Sequence, residues 1–309
     1  MPCEKASFIS SQFSSTEVRT LAWALLSAPL VKTMDSQLPV SDEETIDFLT
    51  ALDANPKPLQ QHLAKCSSHR LGYYFEELWA FYLSHHPKLE LLGHNLQVQN
   101  SDRRTLGAFD FIYRYIPTNS IHHLEVAVKF YLFIGEHSEL SSNQMLWPGP
   151  NPKDNLGNKV NRLTTHQLKL PQTAEGRDAL AGITEEHQIT SSAALKGYLF
   201  YPWQQSTQKP EWAPDNHCNG QWLYRDKITE LTTAFSESRW RALTKREWLG
   251  PVINLAEENT ISGSELNECL INDMPDFPVM VTRICKTELG SWDEQERFFI
   301  APERWPGTM

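Results

Sequence analysis

Gly107-Ala108-Phe109-Asp110-Phe111-Ile112-Tyr113 and His123-Leu124-Glu125-Val126-Ala127-Val128-Lys129-Phe130 are two apolar stretches that carry charge inside them, joined by the turn-forming Pro117-Thr118-Asn119-Ser120. Both read as strands. Side chains alternate across a strand, so Asp110 falls with Ala108 and Ile112, while Glu125, Ala127 and Lys129 share one face of the second strand. A hairpin turning about Thr118-Asn119 sets Asp110 opposite Ala127 and diagonal to Glu125 and Lys129. Diagonal neighbours lie roughly 7 to 8 Å apart, within reach of one bound ion or phosphate.

Two carboxylates can hold a divalent cation that polarises a phosphodiester and activates water, and an ammonium beside them can stabilise the charge that develops. Phosphodiester hydrolysis is the chemistry this grouping suits. The plainer reading is a cross-strand salt bridge on a solvated sheet face, a pair of small energetic worth.

Outward from this hairpin, Arg70 to Leu83 has Leu71, Phe75, Leu78 and Tyr82 on one helical stripe, closed by Pro87. Glu76 and Glu77 lie in that aromatic helix. One of them falls close to the apolar stripe and requires a partner, a metal shared with Asp110 or Arg70, unless both simply face solvent. Leu89 to Gln99 alternates as a strand and makes a three-stranded meander with the hairpin. After the Pro-rich Trp147-Pro148-Gly149-Pro150-Asn151-Pro152, a helix is predicted from Asp154 or Asn155 to Leu168. On it Lys159, Arg162 and His166 form a basic face, and Gln167 lies at the rim of the apolar stripe Leu156, Val160, Leu163. That arrangement suits a phosphate-bearing ligand, or equally a solvated basic face with a helix-end amide. Lys196 to Trp203 is a further strand.

The flanks carry weaker signals. Val18, Leu21, Ala22, Leu25 and Leu26 recur at helical spacing, and Ser41-Asp42-Glu43-Glu44 is a capping box before a second helix. Helices are expected over Asp226 to Phe235 and Trp240 to Trp248, with late strands at Val279 to Ile284 and Arg297 to Ala301. The chain thus divides into an N-terminal helical region (1–69), a core (70–205) and a C-terminal extension (206–309), expected to pack as one unit.

At 309 residues and 40% hydrophobic content the chain can bury a sizeable core. A net charge of −10 argues against whole-surface nucleic-acid binding and leaves room for a local basic cleft. The run Leu21 to Leu26 is too short to span a bilayer, and Met1-Pro2-Cys3-Glu4-Lys5 lacks the layout of a secretory signal, so a cytoplasmic protein is expected. The five Cys, at 3, 66, 218, 269 and 285, form no close pairs and are expected to be free thiols. No His-Glu-x-x-His helix, phosphate-binding P-loop or Gly-x-Ser-x-Gly elbow occurs.

With these residues the chain resembles the PD-(D/E)XK superfamily, the restriction-endonuclease-like nucleases, and within it a bacterial family described as domain of unknown function 1853. The matching elements are Gly72 with Glu76 on the first helix, Gly107-x-x-Asp110 on a strand, Glu125 with Lys129 on the next, and Lys159 and Gln167 on the following helix. The narrower likeness runs on through Trp248-Leu249 to Arg304-Trp305-Pro306. The resemblance implies an α/β fold with a restriction-endonuclease-like core of helix, three-strand meander, helix and strand around a mixed central sheet. It implies a magnesium-dependent (or manganese-dependent) nuclease acting on DNA, with Asp110 and Glu125 as catalytic and metal-binding carboxylates, Lys129 as catalytic lysine, Glu76 as auxiliary metal ligand, and Lys159, Arg162 and Gln167 on the substrate.

One departure stands out. The superfamily places its second acid two residues before the lysine, where this chain has Ala127. Glu125 lies four before, and four strand residues span roughly 13 Å, too far for close convergence with Lys129 without a bulge or twist. Either the site has migrated or the fold serves as a non-catalytic binding module; a hydrolase of small phosphates is a third reading.

Overall fold

A computed structural model describes residues 9–66, 68–185, 188–273, 275–288 and 290–307. Helices α1 (Thr16–Leu26), α2 (Asp42–Ala54), α3 (Lys57–Ala64) and α4 (Leu71–His85) precede the sheet. The capping box at α2 forms as predicted, with the Ser41 hydroxyl accepting from the Glu44 amide and the Glu44 carboxylate accepting from the Ser41 amide. The meander follows as β1 (Leu89–Gln99), β2 (Thr105–Tyr115) and β3 (Ser120–Leu132). Then come α5 (Leu156–Thr165), α6 (Ala174–Ala181) and β4 (Ile189–Pro202). The last third supplies β5 (Asn219–Tyr224), α7 (Ile228–Ala234), β6 (Arg239–Ala242), α8 (Gly263–Asp273), β7 (Val279–Lys286) and β8 (Trp292–Ala301).

All eight strands join one mixed sheet in the order β1-β2-β3-β4-β5-β8-β7-β6. The four central strands β3, β4, β5 and β8 run parallel, and antiparallel strands flank them on both sides. The last third therefore extends the same sheet.

Alternation along β3 divides the core. Val126, Val128 and Phe130 pack on the helical layer with Trp23, Phe75 and Trp79, while Ala127 and Tyr131 pack with Leu156, Leu163 and Trp147 on the reverse face. The outer flank of β4 before β5 begins is taken by the segment after α1. There the Leu30 amide donates to the Leu195 carbonyl at 2.8 Å, and the Leu195 amide donates to the Met34 carbonyl at 3.2 Å.

Several expectations are corrected. The hairpin pairs Phe111 with Leu124, a two-residue shift from the expected register, an even step that by itself exchanges no faces. The turn occupies Ile116 to Asn119 because Pro117 favours its second position and Asn119 accepts a left-handed φ of 55°. The helix from Asn155 stops at Thr165, since His166 leaves helical geometry with φ −126° and ψ −66°, and Gln167 opens a separate 3₁₀ turn. The helix expected at Trp240 to Trp248 is β6 followed by a short 3₁₀ turn, because Arg239–Ala242 finds a β7 edge to pair with. Cys66, Cys269 and Cys285 are free, whereas Cys218 is disulfide-bonded, a pairing no sequence spacing announces.

Candidate active site

Asp110 marks the point where β2 leaves β3. The two strands pair only from Tyr115 with Ser120 to Phe111 with Leu124. Before Phe111, β2 follows β1, and beyond Leu124, β3 follows β4 as far as Phe200. Side chains replace the missing ladder: Asp110 Oδ2 accepts from the Val126 amide at 2.9 Å, and the Asp110 amide donates to Glu125 Oε1 at 3.5 Å.

Strict alternation fails here. Phe109 and Ile112 pack in one cluster and Phe111 and Tyr113 in another, although 109 and 111 have the same parity. Across the ladder, Asn95 takes a φ of 53° between His94, paired with Phe111, and Leu96, paired with Phe109. Opposed kinks in β1 and β2 thus turn their side chains out of the pleat.

Glu125 is only 1% exposed, and a carboxylate so buried needs its lone pairs filled. His123 Nε2 lies 2.9 Å from Oε1, and Gln167 Nε2 donates to Oε2. The chain of contacts continues both ways. His123 Nδ1 lies 3.2 Å from the Ser191 hydroxyl, and Gln167 Oε1 accepts from Lys159 Nζ at 3.3 Å. The break in the helix at His166 is what swings the Gln167 amide onto Glu125.

Asp110 is pushed up to about 8, first by burial and then by Glu125 and Glu76, against the Val126 amide and Lys159. Glu76 is also raised, chiefly by burial, with a hydrogen bond from Asn95 working the other way. Lys159 is lowered by burial and by Lys129, while Asp110 and Glu125 hold it up. Three carboxylates therefore crowd one space, Glu125 buried outright and Asp110 and Glu76 half-buried, with the half-buried Lys159 beside them.

Of the residues picked from sequence, Glu76, Asp110, Glu125, Lys159 and Gln167 come together. Lys129 does not join the carboxylates. Its ammonium is bound to Asp154 Oδ2 at 2.6 Å, and the Tyr131 hydroxyl reaches the other Asp154 oxygen at 3.4 Å. Lys129 lies near enough to Lys159 to act on it electrostatically, while its own ammonium is committed to Asp154. Arg162 is exposed on α5, one turn beyond Lys159. Glu77 turns away to His62 at 2.8 Å. His123 fits no zinc motif, but its i, i+2 spacing from Glu125 puts both on one strand face; Asn95 and Asp154 carry no such signal.

Among the described residues no group of three or more His, Cys, Asp or Glu side chains is placed to hold a metal ion by itself. Magnesium is usually held by one or two carboxylates with waters and substrate phosphates completing the shell. The hard oxygens of Asp110 and Glu125, with Glu76 behind them, fit that requirement, and a dication there would offset the crowded negative charge.

A family model described as Domain of unknown function (DUF1853) matches residues 19–301. The chain belongs to the DUF1853 family. The DUF1853 match runs from within α1 to the end of β8, so every element that builds the carboxylate cluster lies inside it. No curated protein and no solved structure gives a significant match to the chain. Among the described residues no helix is long and apolar enough to cross a membrane.

Proposed function

We propose that this protein is a metal-dependent nuclease that hydrolyses phosphodiester bonds in DNA on a PD-(D/E)XK-like, restriction-endonuclease-like core. The observation that carries the reading is the parting of β2 from β3 at Asp110, which sets Asp110, Glu125 and Glu76 beside Lys159 in a partly buried cluster. A magnesium or manganese ion held by Asp110 and Glu125 would supply Lewis acidity and lower the pKa of water. The residues do the rest. Gln167 and His123 fix the Glu125 carboxylate, and Lys159 offers its ammonium to a non-bridging phosphate oxygen as charge develops. Lys159 thereby takes the part expected of Lys129, whose pairing with Asp154 sets the loop ahead of α5. Arg162, exposed on the same helix, is free to meet the flanking backbone phosphate.

A catalytically degenerate binding module is the rival reading, favoured by the engagement of Lys129 with Asp154. Calorimetric titration with Mg²⁺ and Mn²⁺ separates the two. Binding by wild type that disappears in Asp110→Ala and in Glu125→Ala is the expected result, together with cleavage of a DNA substrate by wild type alone. Absence of binding in wild type would leave the binding module as the better account.

The two lysines separate in the same assays. Lys159→Met should keep metal binding and lower the cleavage rate by about 10²–10³, the loss typical of one transition-state donor. Lys129→Met should cost less than about tenfold, because its partner is a carboxylate outside the cluster. The opposite ranking would return the catalytic part to Lys129.

A further inference from the structure

A second cavity, of about 470 Å³, opens on the helical side of β4 between the end of α1, the segment after it and the start of α2. At its base lies Lys196, 2% exposed, whose ammonium donates to the Ser27 carbonyl and sits 3.8 Å from Asp35 Oδ1. Nothing in the nuclease reading uses this lysine. An ammonium has three donors, and among the described residues the Ser27 carbonyl is the one hydrogen-bond acceptor it meets, Asp35 at 3.8 Å lying beyond hydrogen-bond length. The Ser27 hydroxyl on the same wall is buried and has no hydrogen-bond partner among the described residues. Buried polar atoms are nearly always paired, so an open ammonium direction beside an unpaired hydroxyl is the signature of a site whose ligand completes them.

The charges around the space are balanced. Lys196 and Lys32 contribute two cations, Asp35 and Asp42 two anions, and Leu25, Leu38 and Val40 supply an apolar wall. Lys32 is already engaged with the Glu211 carbonyl at 2.7 Å, which leaves Lys196 as the cation facing inward. A simple anion would meet the repulsion of Asp35, and a simple cation that of Lys196. Only a ligand with both charges satisfies both. Burial pulls Lys196 down to about 8, with Asp35 and Asp42 acting to hold its proton on.

We propose that this cavity binds a small zwitterion of the α-amino acid class with an apolar side chain, its carboxylate on Lys196 and Ser27 and its ammonium on Asp35. The site is independent of the nuclease reading. The test is calorimetry and thermal shift on the full chain with L-leucine as first probe, then the remaining standard L-amino acids. N-acetyl-L-leucine, lacking the ammonium, and isopentylamine, lacking the carboxylate, are the comparators. Expected is saturable binding of an apolar amino acid, at least about tenfold weaker in Asp35→Asn and in Ser27→Ala, the loss of one charge-assisted or buried hydrogen bond. Both comparators should bind poorly. Asp35 is half exposed, so its variant should fold, and an unshifted thermal midpoint of the ligand-free variant checks this. No binding of any standard amino acid at millimolar concentration, equal binding of either comparator, or unchanged affinity in Asp35→Asn would each overturn the proposal.

Discussion

Asp110→Asn is expected to abolish metal-dependent cleavage and, at the same time, to make the metal-free protein more stable at pH 8. The first effect follows, on the proposed function, from removing a carboxylate that would hold the metal; the several kcal/mol such a ligand supplies correspond to a rate loss of about 10³ or more. The second follows from Asp110 being pushed up to about 8 from an ordinary 3.8. Between those values the folded chain holds a proton that the unfolded chain releases, so folding stability falls as pH rises from about 4 to about 8. An amide has no charge to bury. Chemical denaturation from pH 5 to pH 8 should show the decline in wild type and a flatter profile in Asp110→Asn, with the two diverging by at least about 1 kcal/mol at the upper end. Saturating magnesium should restore the wild type at pH 8 and leave the variant unmoved. A wild-type profile as flat as the variant's would mean that Asp110 does not carry the cluster's electrostatic strain.

Gly197→Ala is expected to be the most damaging single methyl group that can be added to this chain. Gly197 takes a φ of 140° on β4, where it pairs with Lys129, and a Cβ built there would lie 1.6 Å from the Lys129 carbonyl oxygen. Neither backbone can move without disturbing the parallel ladder between β3 and β4. Both the disallowed φ and the overlap point the same way, so a loss of more than about 3 kcal/mol is expected, read as a lowered urea midpoint or as insoluble protein. Cleavage and metal binding should fail with the fold. A soluble variant with an unshifted midpoint would show that the strand pair tolerates displacement.

The strand pair around Asp110 and Glu125 was legible because apolar residues with embedded charges have few other readings, and alternation placed Glu125, Ala127 and Lys129 on one face. The residues that gather were legible too, as types. Their arrangement was not. The register depended on whether Pro117 or Thr118 began the centre of the turn. Strict alternation through Asp110 missed the opposed kink at Asn95, which depends on a left-handed residue in a neighbouring strand. The pairing of Lys129 with Asp154 and of Lys159 with Gln167 rests on Asp154, a residue remote in sequence, and on a helix end at His166 that no Gly or Pro announces. Edge elements fared worst: a four-residue strand such as β6 has too little sequence to carry a period.

The single eight-stranded sheet has a practical corollary for anyone wishing to isolate the chemistry. Every described strand belongs to that sheet, so a cut between strands parts paired neighbours. Ending it between β4 and β5 would strip Phe299 from Phe200 at 4.5 Å and Trp248 from Phe130 at 5.0 Å. It would also bare the β4 positions Leu199 to Pro202 that β5 pairs with. An open, apolar edge in mid-sheet invites strands from other molecules. A trimmed fragment bearing every carboxylate of the cluster would therefore be a seed for aggregation, and the smallest working unit is close to the whole chain.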